Sequence, residues 1–346
     1  MLDRLIPLIP LIVTQPQEAP MQSQRTGKAL IEATRPFIAE HRLTSWWHLA
    51  STVLTLAACT FLLTRPLFWP LRSVLVVVDG LAIVRLFVLY HDHLHGSLLR
   101  NSQFARAVFW PFGLLVMAPP LVWRETHNYH HAHTAKLVGS HIGSYPVMTT
   151  EWWAAASSQE RGRYRFVRHP LTILFGYFTA FMLEMCLLSF LRNPRKRWDS
   201  GLALVLNWAI SALLLWKCGV AVFLFAWFLP HFLACATGAY LFYAQHNFPE
   251  AVIQRRDEWC YDRAALESSS FMEVGPLLAW FTANIGYHHV HHLNPSIPFY
   301  RLPEAMEALP ELQTPGRTTL SLRSIATCFR LNLWDPASHR MVGYPG

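Results

Sequence analysis

Residues 46–64, 71–90, 202–216 and 220–242 form four nearly continuous apolar runs. A helix needs about 20 apolar residues to cross the hydrocarbon core of a bilayer. Only structures that satisfy their own backbone hydrogen bonds survive there. The runs therefore commit the chain to an all-α, integral-membrane fold with about four transmembrane helices. The connections at 65–70 and 217–219 are short, so the runs pair as two hairpins. Composition agrees: 53% of the 346 residues are hydrophobic and only 14% are charged, against roughly 25% charged in soluble domains. That excludes a disordered chain and argues against a soluble globule. The net charge of +8 sits beside the apolar runs, where an anionic membrane face explains it better than nucleic acid does.

Two further apolar segments are read differently. Residues 104–123 contain Pro111, Pro119 and Pro120, which break helices, and residues 171–191 carry arginines at both flanks. Both are expected to be interfacial or re-entrant, although six spans would also satisfy hydropathy. Asp79 and Arg85 fall inside the second run. A charge in lipid is costly, so both should face protein or a cavity, or Arg85 should snorkel to the interface. Residues 1–44 read as a mostly polar cytosolic lead-in, 45–335 as the membrane domain and 336–346 as a tail. The lead-in lacks the basic flank and cleavage site of a secretory signal. The six cysteines lie mostly in apolar stretches and read as small hydrophobes.

Histidine is the outlier, with 18 residues. On a helix, positions i, i+3 and i+4 share a face. His91 and His95 stand at i and i+4. His127, His130 and His131 form an i, i+3, i+4 triplet, and His288, His291 and His292 repeat it. Each cluster can aim its imidazoles at one point. His246 follows the last run and brings the candidate ligands to nine, all on one membrane face if the spans form two hairpins. One zinc takes about four ligands, so nine suggest two metal ions held by a helical cap at that face. Imidazole suits iron, zinc, copper and nickel. By helical geometry His93, His133 and His289 point away from their clusters. The remaining ring nitrogens need acceptors, for which Asp92, Asn247 and Asn284 are candidates. Glu125 would do likewise or pair with Arg124.

These residues carry a resemblance. His91-Asp92-x-x-His95, Trp123-Arg124-x-x-His127-x-x-His130-His131-Ala132, Phe242-Tyr243-x-Gln245-His246 and Asn284-Ile285-Gly286-Tyr287-His288-x-x-His291-His292 resemble the three histidine boxes and additional histidine of integral-membrane fatty acid desaturases. Arg168-His169-Pro170, Trp280-Phe281-Thr282-Ala283 and Ile297-Pro298-x-Tyr300-Arg301-Leu302-Pro303 extend the likeness over about residues 40–335. It is strongest to the bacterial acyl-lipid group acting at the Δ12 (omega-6) position. The chain departs from the usual pattern at His93-Leu94, where Cys-Gly is common, and at His141, where an acidic residue is often found. The resemblance implies a non-haem diiron centre of two iron ions, using O2 to place a cis double bond in a lipid-linked or CoA-linked acyl chain. It further implies a bacterial cytoplasmic membrane with the site on the cytoplasmic face.

An unactivated methylene lies beyond acid–base chemistry by side chains, so a redox metal fits the task. The chain shows no dinucleotide fingerprint, haem motif or cysteine-rich iron–sulfur pattern. Electrons are therefore expected from a separate ferredoxin or cytochrome b5-like protein. Arg124, Arg168 and the 192–197 arginines could attract an anionic head group or an acidic carrier, or simply follow the positive-inside rule. Two alternatives stay open at this point. A diiron hydroxylase or ketolase acting on a fatty acid, alkane or carotenoid shares the boxes. A histidine-rich metal transporter would need more mid-membrane polar residues than Asp79 and Arg85.

Overall fold

The computed structural model describes residues 25–139 and 142–345. His141 and residues 1–24 lie outside the described residues. A short helix α1 (Gly27–Ala33) precedes two long apolar helices, α2 (Arg42–Leu63) and α3 (Trp69–His95). Pro70 opens α3 at a position where a missing N–H costs nothing. α3 packs between α2 and the later helix that ends the membrane part. It continues beyond the apolar run through His91 and His95, so both rings ride on one rigid element.

The 104–123 segment divides into α4 (Gln103–Leu115) and α5 (Pro120–His133), inclined at 88° to each other. Met117 at φ 56° and the Pro119–Pro120 pair make the corner. The second helix runs on past residue 123 and carries the middle histidine triplet. Short helices α6 (Thr150–Ala155), α7 (Ser158–Arg168) and α8 (Pro170–Leu174) follow, then a π-helix (Tyr177–Leu188) and α9 (Ser189–Arg192). The 171–191 segment is thus interrupted at Phe175, and its later part runs on as one helix of mixed π and α pitch from Tyr177 to Arg192, which is not among the stretches long enough to cross a membrane.

α10 (Trp198–Phe223), a π-helical turn (Leu224–Phe228) and α11 (Leu229–Ala244) form a 47-residue helical stretch. It is interrupted at Gly219, whose φ of 82° and ψ of 171° lie outside any helix. A straight helix of this length would span about 70 Å. Yet Asp199, at its start, accepts from the Leu121 amide (2.8 Å), and His246, just past its end, reaches His130 (3.1 Å). Both partners belong to α5, which is only about 20 Å long. The stretch therefore folds back at Gly219, and its two arms pair as the second hairpin.

Three stretches are long and apolar enough to cross a membrane: Arg42–Leu63, Trp69–His95 and Trp198–Ala244. Large apolar side chains such as Leu54, Phe61, Val205 and Leu213 are exposed along them, as lipid-facing residues should be. Trp69 and Trp216, also exposed, mark one end, and Trp47 and Trp198 the other. Arg85 does not snorkel. It is 1% exposed, donates to Thr52 Oγ1 (2.9 Å) and the Trp280 carbonyl, and meets His48 Nδ1 (2.9 Å). Asp79 accepts from Thr60 Oγ1 at 3.2 Å.

The cap contains α12 (Tyr261–Glu267), α13 (Pro276–Phe281), α14 (His288–Leu293), α15 (Leu302–Ala308) and α16 (Leu322–Arg330). Two small sheets join it: β1 (Met148–Thr149), β4 (Leu333–Asp335) and β5 (Arg340–Val342), and the parallel pair β2 (Phe271–Glu273) and β3 (Arg317–Thr319). The protein is mostly helical with these few strands added. The described part of the lead-in docks onto this cap. Leu30 is buried, the Gly27 amide donates to Asp262 (2.7 Å), and Arg25 pairs with Glu311 (2.8 Å).

Candidate metal centre

Each candidate ligand is set by the element beneath it. α3 supplies His91 and His95, α5 supplies His127, His130 and His131, the turn after α11 supplies His246, and α14 supplies His288, His291 and His292. All nine gather in two groups. One holds His91, His95, His127, His131 and His291. The other holds His130, His246, His288 and His292. The triplets do not each converge on a single point as their spacing suggested. On α5 the i and i+4 rings join the first group and the i+3 ring joins the second. On α14 the assignment is reversed. With about 100° of rotation per residue, i and i+4 differ by about 40° and i+3 lies about 100° behind i+4. One helix can therefore serve two adjacent positions.

Within the first group His91 Nε2 lies 2.8 Å from His127 Nε2 and 3.2 Å from His95 Nε2, and His131 Nε2 lies 3.1 Å from both His127 Nε2 and His291 Nε2. Within the second, His246 Nε2 lies 3.1 Å from His130 Nε2 and 2.9 Å from His288 Nε2. The tautomers decide what these contacts are. His246 Nδ1 faces the Ser268 carbonyl at 2.9 Å and His91 Nδ1 faces the Asp92 carboxylate at 3.0 Å. The Ser268 carbonyl has no proton to give, so His246 Nδ1 must donate and its Nε2 must be bare, and His91 Nδ1 donates in the same way to the ionised form of Asp92. A bare Nε2 presents its lone pair to the centre of its group, where a cation can take it. Nitrogens about 2.1 Å from a common metal at right angles stand about 3.0 Å apart, which is the spacing seen. The donor set fits metal ions.

Burial keeps the rings neutral, as ligation requires. It pushes the His246 imidazole down to about 4. His288, His291 and His292 are held well below the usual histidine range, by burial first and then by neighbouring imidazoles.

Thr134, which sequence reasoning missed, places Oγ1 3.3 Å from His292 Nδ1. Nothing in the chain marks this contact, which spans 158 residues. Asp92 also accepts from the Phe299 amide (2.8 Å), so the Ile297–Pro303 segment is tied to the first group. Asn247 and Asn284 bond elsewhere. Asn247 is drawn into contacts with Arg168 and the carbonyls of Cys328 and Leu331, and Asn284, at φ 52° in a turn, reaches toward the Phe299 carbonyl. Neither hydrogen-bonds a candidate ligand among the described residues. Glu125 pairs with Lys196 (2.8 Å) rather than Arg124. His93, His133 and His289 stay outside both groups. They bond the carbonyls of Leu98, Tyr129 and Leu312.

A cavity of about 790 Å³ opens beside the centre. His91, His127 and His288 line it at the metal end, and Ile83, Val84, Phe181, Ala234 and Cys235 give it apolar walls between α3, α11 and the π-helix. Ser189, Arg192 and Arg197 line another part of it. This size lies within the range of pockets that enclose small organic ligands.

Known proteins agree with this geometry. The family model for fatty acid desaturase matches residues 67–323. The chain belongs to the fatty acid desaturase family. A fatty acid desaturase of Bacillus subtilis is 32% identical over 338 residues, covering 95% of this chain and 89% of the relative. An sn-1 oleoyl-lipid 12-desaturase of Synechocystis is 24% identical, covering 88% and 87%. An sn-1 acyl-lipid omega-3 desaturase (ferredoxin) of Nostoc is 24% identical, covering 70% and 67%. The protein is thus a membrane fatty acid desaturase, an oxidoreductase with two histidine groups that could hold metal.

Proposed function

We propose that this desaturase introduces a cis double bond into a long-chain acyl group, lipid-linked or CoA-linked, at a diiron centre. Electrons would come from a ferredoxin or cytochrome b5-like carrier at the cytoplasmic face of a bacterial membrane. One observation carries the reading: nine imidazoles, seven of them buried and two half-buried, gather in two adjacent groups that border an apolar cavity. The ferredoxin named for the Nostoc relative and the oleoyl lipid named for the Synechocystis one point the same way.

His91, His95, His127, His131 and His291 would hold one iron, and His130, His246, His288 and His292 the other. When bound, the pair supplies the oxidising power needed to remove two hydrogens from a methylene pair as O2 is reduced to water. The protein does the rest. Asp92 and the Ser268 carbonyl hold ring protons at Nδ1, which leaves Nε2 free for the metal. Phe181, Ala234 and their neighbours keep water from the acyl chain and align it past His91 and His127. An all-nitrogen ligand set adds no negative charge, which favours a strongly oxidising site.

The test is expression in a host of defined lipids, with metal analysis of the purified protein. A new cis double bond and two irons per chain are expected. An oxygenated product would favour the hydroxylase or ketolase reading, and exchangeable zinc without iron would overturn both.

A further inference from the structure

Arg168 is not available to a head group or a carrier. It is 2% exposed, and no carboxylate pairs with it among the described residues. A buried guanidinium is expensive to keep, and this one is spent on four neutral acceptors from three segments. Nη1 donates to the Pro146 carbonyl (2.8 Å). Nη2 donates to Tyr243 Oη (3.2 Å), Asn247 Oδ1 (2.6 Å) and the Leu331 carbonyl (3.1 Å). Tyr243 and Asn247 flank His246 in the chain, three residues before it and one after. Both then reach the same carbonyl, Cys328, at 3.5 Å and 2.6 Å. One cation therefore holds side chains on both sides of His246.

His246 needs such a brace more than the other eight. His91 and His95, His127 and His131, and His288 and His292 are i, i+4 pairs on helices, while His130 and His291 sit within those same helices. His246 alone lies on a turn, where α11 has ended. Its Nδ1 faces the Ser268 carbonyl at 2.9 Å and, more distantly, the Ser269 hydroxyl at 3.5 Å, while Arg168 and His246 line one small cavity with His130.

We propose that Arg168 is the positioning residue for the second metal. Through Tyr243 and Asn247 it fixes His246 in the group with His130, His288 and His292, and the first group does not depend on it. This rests on the two-iron reading above. The test is Arg168→Lys, purified from iron-replete cells, with metal content and Mössbauer spectra measured beside the unaltered protein. Lysine keeps the charge but cannot hold four acceptors at once. Iron is expected to fall from two per chain to one, with one of the two spectral components lost. The double variant Tyr243→Phe, Asn247→Ala, which leaves Arg168 in place, should give the same half-loaded state. Retention of both irons in both variants, or equal loss of both components from folded protein, would overturn the proposal. Should Arg168→Lys fail to fold, the double variant decides alone. If the unaltered chain itself holds no iron pair, the diiron reading fails instead.

Discussion

Five rings meet in the first imidazole group and four in the second, and different forces hold them. The first takes two i, i+4 pairs, from α3 and α5, and adds His291. Its local geometry is dictated by helix pitch, and a carboxylate, Asp92, fixes one ring proton. The second has one such pair, His288 and His292, plus His130 and the turn residue His246. Its outer contacts are neutral, the Ser268 carbonyl and the Thr134 hydroxyl. The first group is thus preorganised by secondary structure, whereas the second is assembled by contacts between distant segments. A metal in the second group should leave first under a chelator. His131 and His292 stack across the boundary, with ring centroids 4.2 Å apart, so the two positions share a wall.

The largest effect should come from emptying one group at a time. His291→Ala removes a ring from the first group and His130→Ala removes one from the second. Each should reduce desaturation to background and lower iron content while the protein still inserts. Both outcomes are read from lipid profiles and metal analysis of the membrane fraction. Full activity in either variant would remove that ring from the ligand set. Metal retention should differ, because four rings remain in the first group and only three in the second.

Asp92→Asn should act more weakly and on the first group alone. Asparagine can still accept from the Phe299 amide, but it no longer orients the His91 proton as a carboxylate does. Loss of such an outer contact typically costs 10–100-fold in metal affinity or activity. The order of metal loss to a chelator should then even out between the groups. An unchanged order would show that Asp92 only anchors the Ile297–Pro303 segment.

What could be read from the chain follows from the range over which each feature is encoded. Span length, the proline corner and the histidine spacings are local, and they name the helical membrane fold and eight of the rings, while His246 is named by its place after the last apolar run. Splitting each triplet between two groups is also latent in helical rotation, but it becomes visible only when two helices face one another. The Thr134–His292 contact, the Ser268 carbonyl at His246 and the three segments around Arg168 join residues far apart in sequence. No local pattern reports them. Arg168 stood within a resembling motif, yet its adjacent basic residues made a surface role look natural. Asn247 and Asn284 are candidates for orienting ligands, yet both lie outside the helices that carry the rings and turn to backbone carbonyls instead.

The smallest effect belongs to His93, between two ligands on α3 but in neither group. Its Nδ1 bonds the Leu98 carbonyl at 3.0 Å, and its ring lies 4.9 Å from Phe109. A rotation of about 100° per residue turns it away from the face shared by His91 and His95. His93→Ala deletes one hydrogen bond, worth about 1 kcal/mol, and a ring contact. Iron content and both spectral components should stay as in the unaltered protein, with only a modest fall in thermal stability. A complete loss of iron would mean that helix pitch does not separate ligand from bystander on α3, and the comparison between the two groups would then have to be redrawn.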